Sequence, residues 1–134
     1  MKTWTYRNFA LLASILMLFS CGKETTYTTR VNNYSDDAIM MEVFSIQGGE
    51  PGFIFLPPGE SYTLSVTTSP GKDESIPDCT REFDSINVVV TGGKHLTRNI
   101  MDPGNWTHRM NRIKGTGSVD HFCDFDIHWQ DLEY

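Results

Sequence analysis

Short segments of alternating apolar and polar residues recur along this chain, and turn-forming residues separate them. In the clearest segment, Tyr62, Leu64 and Val66 alternate with serine and threonine residues. An alternation with a period of two places one face of a strand in the core and the other face in solvent. A Pro-Pro-Gly sequence at 57–59 precedes the segment, and these residues favour a turn. The pattern therefore predicts short, half-buried strands.

A second segment predicts a hairpin. Ile86, Val88 and Val90 alternate with other residues, and a Gly-Gly pair follows at 92–93. Glycines between two alternating segments are typical of a tight turn between paired strands. About seven strands of this kind fit into the chain, so we expect an all-β domain. The predicted fold is an antiparallel immunoglobulin-like β-sandwich, with a partly open barrel as the alternative.

One segment departs from the strand pattern. Asp102 is a suitable N-cap residue, and Pro103 would occupy the first position of a helix. Trp106 and Met110, four residues apart, would then share one helix face. We therefore predict one short helix near 103–113, and an irregular loop is the alternative.

Residues 1–20 resemble an export signal. Lys2 and Arg7 precede an uninterrupted run of apolar and small residues at 9–19, and Cys21 follows shortly after. A basic start and an apolar run of this length are typical of a secretory signal peptide. The run is shorter than the roughly 20 residues of a transmembrane helix. We therefore predict a signal peptide at 1–20.

The four residues Leu-Phe-Ser-Cys at 18–21 resemble a bacterial lipobox. The resemblance implies cleavage before Cys21 and lipidation of this cysteine. The polar residues at 21–26 predict a tether, and the strand pattern after them predicts a folded domain at 27–134. Each buried CH₂ group contributes about 0.8 kcal/mol, so several acyl chains anchor a protein stably. Phe19 is bulkier than the usual residue at its position. We expect a membrane-anchored cell-envelope lipoprotein of the outer membrane, and a soluble secreted protein is the alternative.

Cys79 and Cys123 remain as a pair once Cys21 carries lipid. Disulfides form in oxidising compartments such as the cell envelope. A bridge across a loop of this length would stabilise the fold by roughly 4 kcal/mol. Two buried thiols are the alternative.

The mature chain is acidic. Removal of residues 1–20 removes Lys2 and Arg7, which leaves nine Lys and Arg residues against 17 Asp and Glu and a net charge of about −8. Nucleic-acid binding needs cations that neutralise phosphates. The charge therefore disfavours nucleic acid as a partner, and it disfavours general adhesion to anionic membranes.

Residues 94–114 reverse this charge, because they contain five Lys and Arg residues and one acid. Arg98, Arg109 and Arg112 could form a binding patch around Trp106 for a partner protein or a glycan. The alternative is internal charge balance, with a basic segment on an acidic surface and Trp106 in the core.

The last predicted strand carries a candidate metal site. Asp124, Asp126 and His128 alternate with apolar residues, so their side chains would lie on one face about 6–7 Å apart. Carboxylates and histidine bind metal ions and perform acid–base chemistry. The alternative is an ordinary solvated strand face. The sequence contains no G-x-S-x-G, H-E-x-x-H or phosphate-loop motif, so we expect no enzyme and no cofactor.

Two motifs resemble small Bacteroidota lipoproteins. Residues 56–64 read LPPGESYTL, similar to a turn and strand in that family, and residues 83–94 resemble its hairpin. The last ten residues loosely resemble its aromatic-rich C-terminal strand. The resemblance implies a lipid-anchored β-sandwich and supplies no catalytic residues. Asp84-Ser85-Ile86 also resembles the O-glycosylation acceptor of the Bacteroidota periplasm, so Ser85 is a candidate glycosylation site, although a triplet this short also arises by chance.

Together these patterns predict a non-enzymatic, lipid-anchored binding or accessory module for an envelope protein complex or glycan. Two alternatives stay open. One is a small metal-dependent hydrolase that uses Asp124, Asp126 and His128. The other is a purely structural envelope lipoprotein.

Overall fold

The computed structural model describes residues 22–134, and it confirms the all-β prediction. The nine strands are β1 (Glu24–Tyr34), β2 (Ile39–Ser45), β3 (Gly52–Leu56), β4 (Ser61–Pro70), β5 (Phe83–Val90), β6 (His95–Leu96), β7 (Thr107–Arg112), β8 (Val119–His128) and β9 (Leu132–Glu133). Single turns of 3-10 helix occur at Thr91–Gly93, Pro103–Asn105 and Trp129–Asp131. None of the helices in this part of the chain is long and apolar enough to cross a membrane.

The strands form a sandwich-like arrangement. A four-stranded sheet has the order β4-β1-β8-β7, and a three-stranded sheet has the order β3-β2-β5. Strands β6 and β9 form a separate pair. All pairs are antiparallel except β1 with β8, which run parallel with Val31 opposite Phe125. We expected a wholly antiparallel sandwich of about seven strands. Residues 22–134 instead form nine strands, and the central pair of the larger sheet is parallel.

The core lies between the inner faces of these two sheets. Its strand residues are Val31, Phe125 and Ile127 from the four-stranded sheet and Ile39, Met41, Leu56, Ile86 and Val90 from the three-stranded sheet. Trp106 closes one side, with its ring edge-on to Phe125 at 5.2 Å. Its indole Nε1 donates a hydrogen bond of 2.7 Å to the Ile100 carbonyl. Burial of a side chain of this kind stabilises the fold by about 1.5–3 kcal/mol.

Cys79 and Cys123 form a disulfide bond, and their Cα atoms lie 5.6 Å apart. The bond fastens the loop after β4 to the centre of β8. Because it joins residues 44 positions apart, the loop-closure treatment gives a stabilisation of about 4 kcal/mol.

The helix predicted near 103–113 is wrong beyond its first turn. The cap is as expected, because the Asp102 side chain accepts a hydrogen bond from the Gly104 backbone N–H, and Pro103 begins a 3-10 turn. The chain then extends as β7 and pairs with β8. This pairing satisfies the backbone of β8 along an edge that a short helix would leave open. A glycine in the first turn also weakens a helix.

A β-bulge changes the faces of β4. The pairing of β1 with β4 shifts between Thr29 and Arg30, so that Leu64 is an extra residue on β4. Ser65 lies opposite Thr29 and faces inward, whereas Val66 faces outward and is 60% exposed. The prediction that Val66 belongs to the buried face is therefore wrong, because one inserted residue reverses every side chain that follows.

The folded part begins earlier than predicted. Strand β1 starts at Glu24, whereas the sequence suggested a tether to residue 26 and a domain from residue 27. The predicted signal peptide at 1–20 and the lipidation site Cys21 lie outside the described residues.

Candidate functional site

The outer face of the three-stranded sheet exposes large apolar side chains. Met40, Phe53, Phe55 and Val89 are all solvent-exposed, and Phe53 and Phe55 retain 77% and 63% of their accessible surface. The register places Phe55, Met40 and Val89 side by side across the three strands. These four residues are called the apolar face below. Contiguous exposed apolar surface is typical of an interaction site.

The sequence of β3 explains why this face exists. In Gly-Phe-Ile-Phe-Leu, Ile54 and Leu56 point into the core, so Phe53 and Phe55 must point to the other side. A strand with solvent on one face normally carries polar residues there. The sequence did not lead us to assign a role to Phe53 and Phe55. The signal for them is the apolar run at 53–56, which lacks alternation and so indicates that both faces of the strand need a partner.

One acidic residue lies within the apolar face. Glu42 is opposite Phe53 on one side and Asn87 on the other. The Asn87 side-chain amide donates a hydrogen bond of 3.0 Å to the Glu42 carboxylate. Shallow depressions of about 180 Å³ and about 250 Å³ lie beside Met40. A ligand of this face must therefore combine apolar groups with a cation or hydrogen-bond donor for Glu42.

Ser85 lies on the same outer face, opposite Phe44 of β2. It is half-buried. Glycosylation of Ser85 stays a prediction, and a sugar there would border the apolar face.

The predicted metal-site residues share one face of β8, but each has another partner. Asp124 is only 6% exposed and accepts hydrogen bonds from Arg30 Nε at 2.8 Å and Arg109 Nη2 at 2.7 Å. Burial raises the pKa of Asp124, but the hydrogen bonds from the two arginines outweigh burial and hold this pKa below its ordinary value. The carboxylate is therefore ionised and neutralised by protein cations.

The other two residues are also engaged. The Asp126 carboxylate accepts a hydrogen bond of 2.6 Å from the Asn32 amide. The His128 ring stacks on Tyr34 with a centroid distance of 5.2 Å. His121, the nearest other histidine on this strand, faces the opposite side of β8 and is fully buried. Among residues 22–134, no three His, Cys, Asp or Glu side chains are grouped so that they could hold a metal ion.

The predicted basic patch does not assemble around Trp106, which is buried in the core. The Arg109 guanidinium pairs with Asp124, and the Arg112 guanidinium pairs with Glu74. Arg98 donates hydrogen bonds to the backbone carbonyls of residues 105 and 126 and lies 3.6 Å from the Asp131 carboxylate. These contacts fit the alternative interpretation, in which the basic segment balances acidic residues of the same domain.

A histidine pair, in which His121 is buried and His108 is half-buried, holds the loop that carries Cys79. His121 Nε2 lies 2.7 Å from the Asp73 carbonyl oxygen, so Nε2 carries the proton. The other ring nitrogen, Nδ1, then accepts from His108 Nε2 at 2.8 Å. Hydrogen bonds from Ser75 and Tyr27 lower the pKa of the Asp73 side chain to about 2. The network is saturated by its own members, which indicates a structural role.

Comparison with known proteins identifies no relative: no family model, no curated protein and no solved structure matches this chain.

Proposed function

We propose that this chain is a lipid-anchored, non-enzymatic module of the cell envelope that binds a partner protein through the apolar face. The observation that carries the proposal is the exposure of Phe53 and Phe55, at 77% and 63%, on a regular sheet with no covering element among the described residues. Burial of one such ring contributes about 1.5–3 kcal/mol. Two adjacent rings are therefore sufficient for the centre of an interface.

The position of the face supports a protein rather than the supporting membrane as its ligand. Only residues 22–23 separate Cys21 from the start of β1 at Glu24. The Asn33 amide donates a hydrogen bond of 3.1 Å to the carbonyl of Leu56, the residue after Phe55. Glu24 and Asn33 are nine residues apart on one strand, a distance of about 30 Å. The Phe55 end of the face therefore lies near the end of β1 that is remote from Cys21, which favours a partner other than the supporting bilayer.

The negative charge of Glu42 favours a protein partner over lipid. Glu42 at the centre of the apolar face would be unfavourable against lipid tails or anionic headgroups. A protein surface with apolar side chains over the phenylalanines and a Lys, Arg or N–H donor over Glu42 fits both features.

The non-enzymatic part of the proposal is supported by the state of the acidic residues. Asp124 is neutralised by two guanidinium groups, and Asp126 is held by an amide. A carboxylate engaged in this way is a poor general base or metal ligand. The metal-dependent hydrolase is therefore the weaker candidate.

A photo-crosslinking experiment tests the partner. Benzoyl-phenylalanine in place of Phe55 should give one discrete protein adduct in intact cells, and the same group in place of Val66 should not give this adduct. The two positions are matched in exposure, at 63% and 60%, and lie on different sheets. Adducts with lipid, or the same adducts from both positions, would contradict the proposal. The absence of any adduct would favour a purely structural lipoprotein.

The anchor has its own test. Cells fed labelled palmitate should incorporate the label into the wild-type chain and not into Cys21→Ser. In a detergent phase-separation assay, Cys21→Ser should partition into the aqueous phase, whereas the wild-type chain should partition into the detergent phase. Retention of label by Cys21→Ser would refute the lipidated cysteine.

A further inference from the structure

We propose that the open side of the sandwich is a second binding site, which takes an extended, basic peptide strand of a partner. The strand would pair with the free edge of β4 and place alternate side chains in the cleft between the two sheets. This site differs from the apolar face in its mode of binding, which is pairing with a strand edge, and Phe53 borders both sites.

The first observation is the exposed edge of β4. This ten-residue strand is the outermost member of its sheet, and among the described residues it pairs only with β1. Apart from Pro70 at its last position, β4 contains no charged residue and no proline. Natural edge strands usually carry such residues because an unprotected edge pairs with other chains. The backbone groups on the free side of β4 are therefore available for strand addition.

The second observation is the cleft beside this edge. It has a volume of about 360 Å³, within the range of ligand pockets. Apolar side chains from both sheets line it, among them Val43, Ile54, Leu64 and Phe83, and Phe53 of the apolar face also borders it. The bulge turns both Leu64 and Ser65 toward the cleft. The Thr67 hydroxyl, which also belongs to the lining residue set, is buried without a hydrogen-bond partner. An apolar cleft with one unused polar group along a free edge suits alternate side chains of a strand.

The third observation is the charge of the cleft. Within residues 22–134, the charged residues that line it are Glu50 and Glu82. Glu82 is 3.2 Å from Arg81, whereas Glu50 has no ion pair within residues 22–134. Lys or Arg residues in the peptide would therefore meet an unneutralised carboxylate.

The same charge argues against a second copy of this chain. Its β4 carries no Lys or Arg, and edge-to-edge pairing would bring two acidic domains together. A foreign strand with basic residues avoids this repulsion.

The experiment selects peptides and compares two adjacent positions of β4. A phage-displayed library of random dodecapeptides is panned on the full-length chain in detergent micelles. The variants Ser65→Lys and Val66→Lys are panned in parallel, because residue 65 points into the cleft and residue 66 points outward. Wild type and Val66→Lys should enrich peptides with alternating apolar residues and at least one Lys or Arg. Ser65→Lys should bind these peptides at least about tenfold more weakly.

A synthetic version of the best peptide then separates strand pairing from simple apolar contact. Methylation of alternate backbone nitrogens removes ladder hydrogen bonds and should weaken binding at least about tenfold. The variant Phe55→Ser should bind the peptide like wild type, since residue 55 does not line the cleft. Failure of the apolar face and failure of this site are therefore distinguishable.

Four results would overturn the proposal: no enrichment above Ser65→Lys, acidic rather than basic enriched peptides, equal binding of the methylated peptide, or dimerisation of the chain alone that Ser65→Lys abolishes. The last result would assign the edge to a second copy.

Discussion

Replacement of Asp124 by asparagine tests how the four-stranded sheet is held together. The change keeps the size of the side chain and removes its charge. Each hydrogen bond from a charged donor to such a buried carboxylate contributes about 1.5–3 kcal/mol. The side chains of Arg30 and Arg109 remain 39% and 58% exposed, so water will compensate for part of the loss. We therefore expect Asp124→Asn to lower the free energy of unfolding by about 2 kcal/mol.

The magnitude is checked by urea denaturation, with the midpoint and slope fitted together. For a domain of this size the loss corresponds to about 8 °C in Tm. Asp126→Asn is the matched control, because residue 126 lies on the same face but accepts its side-chain hydrogen bond from a neutral amide. Its cost should be less than half as large. Equal stability of Asp124→Asn and wild type, or equal losses in both variants, would refute the assignment.

The pH dependence gives a second check on the same carboxylate. The folded-state pKa of Asp124 lies below its ordinary value of 3.8. A lowered pKa contributes stability that is present above the unfolded-state pKa and is lost as the pH falls through the folded-state pKa. The difference between wild type and Asp124→Asn should therefore be constant above about pH 5 and should shrink below about pH 4. A difference that does not change with pH would contradict the ion pairs.

Three further predictions concern other parts of the domain. Replacement of both Cys79 and Cys123 by alanine should lower the free energy of unfolding by about 4 kcal/mol, and reductant should then have no further effect on the urea midpoint. Burial and the neighbouring His121 lower the pKa of His108 below 6.5, so stability should be full above that value and decrease as the pH falls toward the folded-state pKa. In His108→Gln, the urea midpoint should therefore depend less on pH between about pH 7.5 and 5 than it does in wild type. Phe55→Ser should change the free energy of unfolding by less than about 0.5 kcal/mol, because the ring is mainly exposed, and a larger loss by thermal denaturation would place the ring in the core.

The sequence predicted elements wherever the alternation was uninterrupted. In β8, Cys123, Phe125 and Ile127 face the core, and Asp124 and Asp126 face outward, as the period of two requires. The Cys79–Cys123 pair was also the one considered from the sequence. The faces of β8 follow from local alternation, and the cysteine pair follows from the number of cysteines. Both kinds of information are present in a single sequence.

Other features depend on contacts between distant residues. The Trp106–Met110 spacing fits a helix face, but pairing with β8 imposes a strand on the same residues. Nothing in the local pattern of β4 predicts the bulge at Leu64, because the shift depends on its fit to β1. The apolar face could not be predicted from local pattern, because the short apolar run at 53–56 does not show what covers each face of its strand.

The parallel pairing of β1 with β8 has a consequence for the order in which the molecule is built. Thr25 pairs with Val119, and Tyr34 pairs with His128. β1 is synthesised well before β8, so the central pair of this sheet can form only after β8 has been made. Such long-range pairing makes folding slow, on the scale of milliseconds to seconds. The four-stranded sheet therefore stays incomplete until β8 has been synthesised, which suits the proposed export of the chain in an unfolded state.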